Sequence, residues 1–417
     1  MIKTLRFTVL AVWAMTSQVG AATDVTSTPP AWVQAVAGGY EARLITDAPA
    51  CPKLMIDGRS RAMVERAAPS SDFPNRVCAA KAPIGARRLA IGRVGLPAPR
   101  ARPRRLVILG DSGCRMKGLS FQHCNDPSGW PFARVAALAA ARKPDLVIHV
   151  GDYYYREKPC PDGNAACAGS PYGDHWPTWR AEVFNPAAPL LAAAPWVFVR
   201  GNHEDCERGG RGWFRQLDAA PAARTCPAES DTFTVRLDGV RLMVVDSADA
   251  EDMTAPADTV AAFARRWPAT GVGAPAWIVT HRPVWDTLRL GGLLSDSVVN
   301  ATERAAVKGR DLTGVQMILS GHVHNFTSLS FGAVRPVQLI VGTGGDEQSP
   351  NDAPPPVVGS TTVDGEASDV FTMGRFGYFL LEKKGAEWTG AFHDLSDRVA
   401  AVCRLRARTL TCRAPKA

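Results

Sequence analysis

An α/β (α+β) fold is what the sequence predicts, and three observations carry that reading. Short apolar runs recur from Leu106 onward, Ala-rich stretches of helical character alternate with them, and five of the runs lead straight into a side chain able to bind a metal. Alternation of strand and helix argues for an α/β sheet, and ligand sites in such sheets gather beyond the carboxyl ends of the strands.

The chain has 417 residues, which at about 100–200 residues per domain suits two or three domains and a large buried core. With 46% hydrophobic and 21% charged residues, the composition is ordinary for a globular protein, and nothing in it argues for a disordered or fibrous chain. Lys3 and Arg6 precede an apolar run from Phe7 to Met15, and small residues follow at Val19, Gly20, Ala21 and Ala22. This layout reads as a signal peptide over residues 1–22, since the run is far shorter than the ~20 residues a membrane-spanning helix needs. Secretion or a periplasmic location is therefore expected, with no membrane anchor, and the Ala/Arg-rich composition suits a bacterial source.

Ten cysteines, an even number, fit disulfides in an exported chain. Neighbours in sequence pair as Cys51 with Cys78, Cys114 with Cys124, Cys160 with Cys167, Cys206 with Cys226 and Cys403 with Cys412, although sequence does not fix the connectivity. No CxxC pair suggests a zinc–thiolate site. The formal charge is +8, or +6 without Lys3 and Arg6, a balance that favours anionic substrates. A nucleic-acid partner is not expected, because no basic stripe is interleaved with aromatics.

Residues 23–103 read as a small N-terminal β domain, with strands at Tyr40 to Ile45 and Arg88 to Val94 and frequent Gly and Pro. Pro97 to Arg105 reads as a linker, residues 104–395 as the α/β domain, and residues 396–417 as a C-terminal hairpin closed by a disulfide. Phe132 to Arg142 and Thr259 to Trp267 are helix candidates, and Gly377 to Glu382 is a late strand.

The five informative strand ends follow in order. Leu106 to Leu109 runs into Gly110-Asp111-Ser112-Gly113; Leu146 to Val150 runs into Gly151-Asp152-Tyr153-Tyr154-Tyr155. Trp196 to Val199 leads to Gly201-Asn202-His203-Glu204, Trp277 to Val279 to His281, and Gln316 to Leu319 to Gly321-His322-Val323-His324. Glycine ahead of a ligand lets the backbone turn where a β-carbon would obstruct it. Mixed oxygen and nitrogen donors suit Fe, Mn or Zn rather than calcium, and a carboxylate can bridge two cations about 3.5–4 Å apart. A lone Gly-Asp is usually a turn and a lone Gly-Asn-His a loop; the ordered combination is what carries information.

The set GDSG, GDYYY, GNHE, VTH and GHVH resembles the five-block signature of the calcineurin-like metallophosphoesterases, and more narrowly their purple acid phosphatase branch. The blocks span Gly110 to His324. The wider superfamily has a metal-binding His where this chain has Gly113, whereas the purple acid phosphatase branch supplies a tyrosine from the second block, at the spacing of Tyr155. The resemblance implies a four-layer αββα metallophosphoesterase sandwich, with an accessory N-terminal β domain as a looser comparison. It implies Fe(III) held by Asp111, Asp152, Tyr155 and His324, and divalent Fe, Zn or Mn held by Asp152, Asn202, His281 and His322, with Asp152 bridging. His203 would stay off the metals, orient the phosphate and protonate the leaving oxygen, while Asn202 would also meet substrate. A metal-activated hydroxide would attack phosphorus in line.

Other residues carry weaker signals. His149 lies inside a strand and reads as a core or supporting residue; His123 adjoins Cys124. His175 sits in a loop able to overhang the cleft, and Arg208 and Arg211 follow GNHE, so His175 and Arg208 are candidate substrate contacts against the simpler reading of solvated loops. Residues from Glu157 to Ala194 match no motif. The expected activity is hydrolysis of small-molecule phosphomonoesters, acid phosphatase-like. The alternatives are a phosphodiesterase or nucleotidase with the same metals, and a non-catalytic binding protein of the same fold, which the intact ligand set disfavours.

Overall fold

The computed structural model describes residues 29–222, 225–267, 275–290, 293–348 and 355–415. The expected signal peptide over residues 1–22 lies outside the described residues.

Two sheets packed face to face form the centre. The larger has eleven strands and the smaller eight. In the larger, Arg105–Leu109, Leu146–His149 and Trp196–Phe198 run parallel and adjacent, with Leu106 opposite Leu146 and Val147 opposite Trp196. In the smaller, Arg241–Val244, Ala276–Val279, Val315–Ser320 and Val337–Val341 are also parallel. The strands are mostly apolar because each face meets a different layer. Leu106, Ile108, Leu146 and Ile148 turn inward onto Trp277, Val279, Met317 and Leu319 of the opposite sheet. Val107, Leu109 and Val147 turn outward onto Phe132, Val135, Ala139 and Leu190.

Helices Phe132–Ala141 and Asn185–Ala193 cover that outer face, while Ala257–Arg266 and Ala301–Val307 lie beyond the smaller sheet, where Val307 packs with Ile278 and Ile318. The result is the expected α/β sandwich of four layers, αββα. Full burial of each Leu, Ile or Val contributes about 1.5–3 kcal/mol, so both faces of every central strand stabilise the stack.

The N-terminal region is β throughout. Four of its strands, Ala31–Val36, Gly39–Thr46, Arg76–Lys81 and Val64–Ala67, continue the larger sheet, joined through the parallel pair Gln34 and Trp196. Four others form a small sheet of their own. Buried Arg43 donates to the carbonyls of Gln216 and Asp218 at 2.8 and 2.9 Å, which ties this region to the helix after GNHE. The expected strand from Arg88 to Val94 is instead a hairpin of Leu89–Ile91 and Val94–Leu96, made possible by Gly92 at φ 57°. The expected linker lies against the domain: Arg104 and Arg105 donate their amides to Asp145 at 2.9 and 3.0 Å.

At the other edge, Gly377–Lys384 pairs antiparallel with Arg105–Leu109, and three further strands end the sheet. All five disulfides join the pairs that are neighbours in sequence, and Cys403 lies directly opposite Cys412 in the last hairpin. This set suits an oxidising compartment. Among the described residues, no helix is long and apolar enough to cross a membrane.

Candidate active site

The five strand ends meet where the two sheets face each other. The larger sheet supplies Asp111, Asp152 and Asn202, with Tyr155 following the second strand; the smaller supplies His281, His322 and His324. Asp111, Asp152 and His322 adopt φ of 55°, 58° and 69°, a left-handed conformation that costs such residues on the order of 1–3 kcal/mol each. Packing and hydrogen bonds offset that strain. A single buried carboxylate, Glu204, accepts the backbone amides of Asp152, Tyr153, Tyr154 and Gly201 at 2.8–3.2 Å. A second, Glu182, accepts those of Cys114 and Tyr155 at 2.7 and 3.0 Å.

Glycine acts here mainly by making room. Of the glycines just before a candidate ligand on these strands, Gly151 alone is left-handed, at φ 104°. Elsewhere the expected sharp turn is replaced by close approach: a β-carbon on Gly201 would overlap the Asp152 carboxylate, and one on Gly321 the Asp111 carboxylate. At Gly113 a β-carbon would lie 2.6 Å from the Tyr155 ring and 2.7 Å from Glu182. Gly113 and Tyr155 therefore occur together for a steric reason, since the ring fills the space a larger residue would take.

The donor atoms form two linked groups. Tyr155 Oη lies 2.8 Å from Asp152 Oδ2, 3.0 Å from His324 Nε2 and 3.4 Å from Asp111 Oδ1. Asn202 Oδ1 lies 3.1 Å from His281 Nε2 and 2.9 Å from His322 Nδ1, and Asp152 Oδ2 is 3.1 Å from His281 Nε2. One oxygen, Asp152 Oδ2, thus belongs to both groups. The hydroxyls of Tyr153 and Tyr154 bond instead to the carbonyls of His149 and Arg156.

Each histidine has its outer nitrogen held. His281 Nδ1 faces the Val150 carbonyl at 2.8 Å, His324 Nδ1 the Glu347 carbonyl at 2.7 Å, and His322 Nε2 the Asp252 carboxylate at 3.2 Å. A carbonyl or carboxylate only accepts, so the outer nitrogen keeps its proton in the neutral ring, and the inner one can give up its own to a cation and present a lone pair to the centre. Converging lone pairs, two carboxylates, an amide oxygen and a phenol are the donor set of a transition-metal site. Burial tends to lower His281 and His324, but carboxylates outweigh it, Asp152 lifting the first and Asp346 with Asp111 the second, each to about 9. The same negative field attracts a cation. Burial first, then Asp152, Asp346 and Asp111, push the Tyr155 phenol well above its usual range, so a strong cation is needed to ionise it.

His203 stands beside this cluster. Its amide donates to Asp152 Oδ1 at 3.0 Å, its Nδ1 meets Glu157 Oε1 at 2.5 Å, and its ring lies 4.0 Å from that of Tyr155. Arg208 grips Asp205 and the Asn202 carbonyl, and its Nη1 is 3.9 Å from Glu157, so it braces the GNHE loop. His175 caps a short helix and faces Thr178 at 3.3 Å; no contact among the described residues joins it to the cluster. His149, fully buried, bonds Ser112 at 2.8 Å and stacks on Tyr153. Arg211 pairs with Asp72 and Asp174.

Sequence reasoning missed Glu157, Lys117, Glu182 and Asp252. Glu157 offered one signal, an acid two residues beyond Tyr155 on the same strand end. The unassigned stretch from Glu157 to Ala194 is a support: besides Glu182, its Asp174 accepts the backbone amides of Arg211 and Gly212 at 2.8 and 3.1 Å, fixing the helix after GNHE.

The calcineurin-like phosphoesterase family model matches residues 105–326, which include every block above. Among solved structures, the chain is similar to the purple acid phosphatase PPD1 from yellow lupin (Lupinus luteus) seeds, with a TM-score of 0.55 at 13% identity over 92% of this chain and 74% of that one. It is also similar to PhoD, with a TM-score of 0.52 at 11% identity over 95% of this chain and 94% of that one. At these identities the likeness is one of fold. No curated protein sequence matches. The family match, resting on the strand-end blocks, places this chain in the calcineurin-like phosphoesterases and makes it a metal-dependent phosphoric ester hydrolase.

Proposed function

We propose that the chain is a phosphomonoesterase of purple-acid-phosphatase type with a two-metal site. The observation that carries this is the shared Asp152 Oδ2, 2.8 Å from the tyrosine group and 3.1 Å from the histidine group. Asp111, Asp152, Tyr155 and His324 would hold one cation, and Asp152, Asn202, His281 and His322 the other. Tyr155, as a phenolate, favours a hard trivalent ion, Fe(III); neutral Asn202 suits divalent Fe, Zn or Mn. Bound there, the ions supply Lewis acidity and water activation.

The protein's own groups do the rest. His203 stands outside the proposed ligand set; burial holds its imidazole below the ordinary range, while Asp152 and Glu157, the latter fixing the ring at Nδ1, work against that lowering, and it is assigned the role of acid for the leaving oxygen. Asn202, beside His281 and His322, would also meet the phosphate. Arg208 serves as a brace, and His175 is assigned no substrate contact. Export, by way of the leader over residues 1–22, fits the five disulfides.

Turnover of p-nitrophenyl phosphate against bis(p-nitrophenyl) phosphate tests the reading. A clear preference for the monoester is expected; equal or greater turnover of the diester would replace it with the phosphodiesterase reading. Tyr155→Phe should bleach a phenolate-to-iron absorption band that Tyr153→Phe leaves in place.

A further inference from the structure

We infer that Lys117 is a phosphate-binding residue that favours dianionic monoesters, an inference that rests on the phosphoester reading above. Lys117 belongs to no strand-end block. It sits on a hairpin of Met116–Lys117 and Ser120–Phe121, closed by the Cys114–Cys124 disulfide. That hairpin is fastened to the tyrosine block: Met116 donates its amide to the Tyr155 carbonyl at 3.0 Å, and its own carbonyl accepts from Glu157 and Lys158 at 3.1 and 3.0 Å. With Met116 fully buried, the position of Lys117 is set by backbone bonds and packing rather than by chance extension of a long side chain.

Lys117 Nζ lies 3.0 Å from His203 Nε2, on the side of the ring opposite the Glu157 contact. The other cations around the centre are committed. Arg115 pairs with Asp346 at 2.6 Å, Arg208 with Asp205 at 2.5 Å, and Arg282 with Asp252. Lys117 is in no ion pair among the described residues. Its half-buried ammonium therefore faces an imidazole nitrogen, a weak partner for a full charge. In that contact Nε2 accepts from the ammonium; the ammonium can turn to a phosphoryl oxygen, and an Nε2 that gains a proton can donate beside it to the same phosphoryl group. A monoester dianion carries one more negative charge than a diester, so a cation placed there discriminates between them.

The test compares wild type, Lys117→Met and Lys117→Arg, all metal-loaded and with metal content measured. KM and kcat are read for both p-nitrophenyl esters, and orthophosphate binding by calorimetry. Lys117→Met should raise the monoester KM and the orthophosphate Kd by about thirtyfold, as loss of a charge-assisted contact does. Its effect on the diester should be at least tenfold smaller, and Lys117→Arg should restore most of the binding. Equal losses on both esters, unchanged orthophosphate binding, or loss of metal in Lys117→Met would each overturn the inference. A wild type inactive on both esters but binding orthophosphate through Lys117 would sink the enzymatic reading and leave the site standing. An active wild type with an unaltered Lys117→Met would do the reverse.

Discussion

The two sheets equip the centre in different ways. The larger delivers oxygen donors, Asp111, Asp152 and Asn202, and places them through the backbone: strained turns are held by buried Glu204 and Glu182, which bond six amides between them. The smaller delivers three imidazoles and places them through their outer ring nitrogens, on Val150, Glu347 and Asp252. Oxygen donors are short side chains whose aim is set by the main chain. Imidazoles rotate, so their aim needs a second bond. Damage to the first side should therefore be felt in folding, and damage to the second in metal affinity. Neither side is a site alone, since Asp152 meets His281 only when the sheets pack.

The largest effect is expected at the atom the two sides share. Asp152→Asn should lower kcat on p-nitrophenyl phosphate by more than about a thousandfold and lower bound metal as well. Activity within tenfold of wild type would show that the two groups work independently. Next comes a paired contrast. Glu204→Ala leaves four amides without their acceptor and should cost about 2–4 kcal/mol in urea unfolding. Asp252→Ala should leave stability nearly unchanged and weaken metal binding about 10–100-fold, as loss of a bond behind a metal-binding histidine does. If the two variants behave alike, the distinction between backbone-held and ring-held donors fails.

The smallest effect is a pH dependence behind the candidate ligands, next to the strand end that carries His281. Glu303 is buried, accepts from Asn300 at 2.6 Å and Thr280 at 3.2 Å, and burial pushes its carboxyl up to about 8. In the unfolded chain it titrates near ~4.3. Its contribution to stability is therefore full below that value and is lost as pH rises towards about 8. Glu303→Gln should shrink the fall in unfolding free energy between pH 5 and pH 8 by roughly 2 kcal/mol. An unchanged slope would mean that Glu303 is ionised in the folded protein.

What could be read from sequence was whatever one segment carries by itself. The seven candidate ligands follow five strands, each in its own segment, so the order of Asp111, Asp152, Tyr155, Asn202, His281, His322 and His324 was visible, as were cysteine pairs close along the chain. What stayed hidden was set by contacts between segments. Glu182 and Asp252 act on residues far from them in sequence, and nothing local marks either. The left-handed turns at Asp111 and Asp152 were also hidden, because such a turn normally calls for glycine. The N-terminal strands read correctly as β, but their union with the larger sheet depends on Gln34 meeting Trp196, which no local pattern announces.

The central claim is that one carboxylate joins two metal sites. Elemental analysis of untagged protein, loaded with iron and zinc and freed of loose metal, tests it most directly. The account predicts two metal ions per chain, with occupancy rising in step with turnover of p-nitrophenyl phosphate. A preparation fully active with a single ion, or one that binds none under any loading, would contradict it.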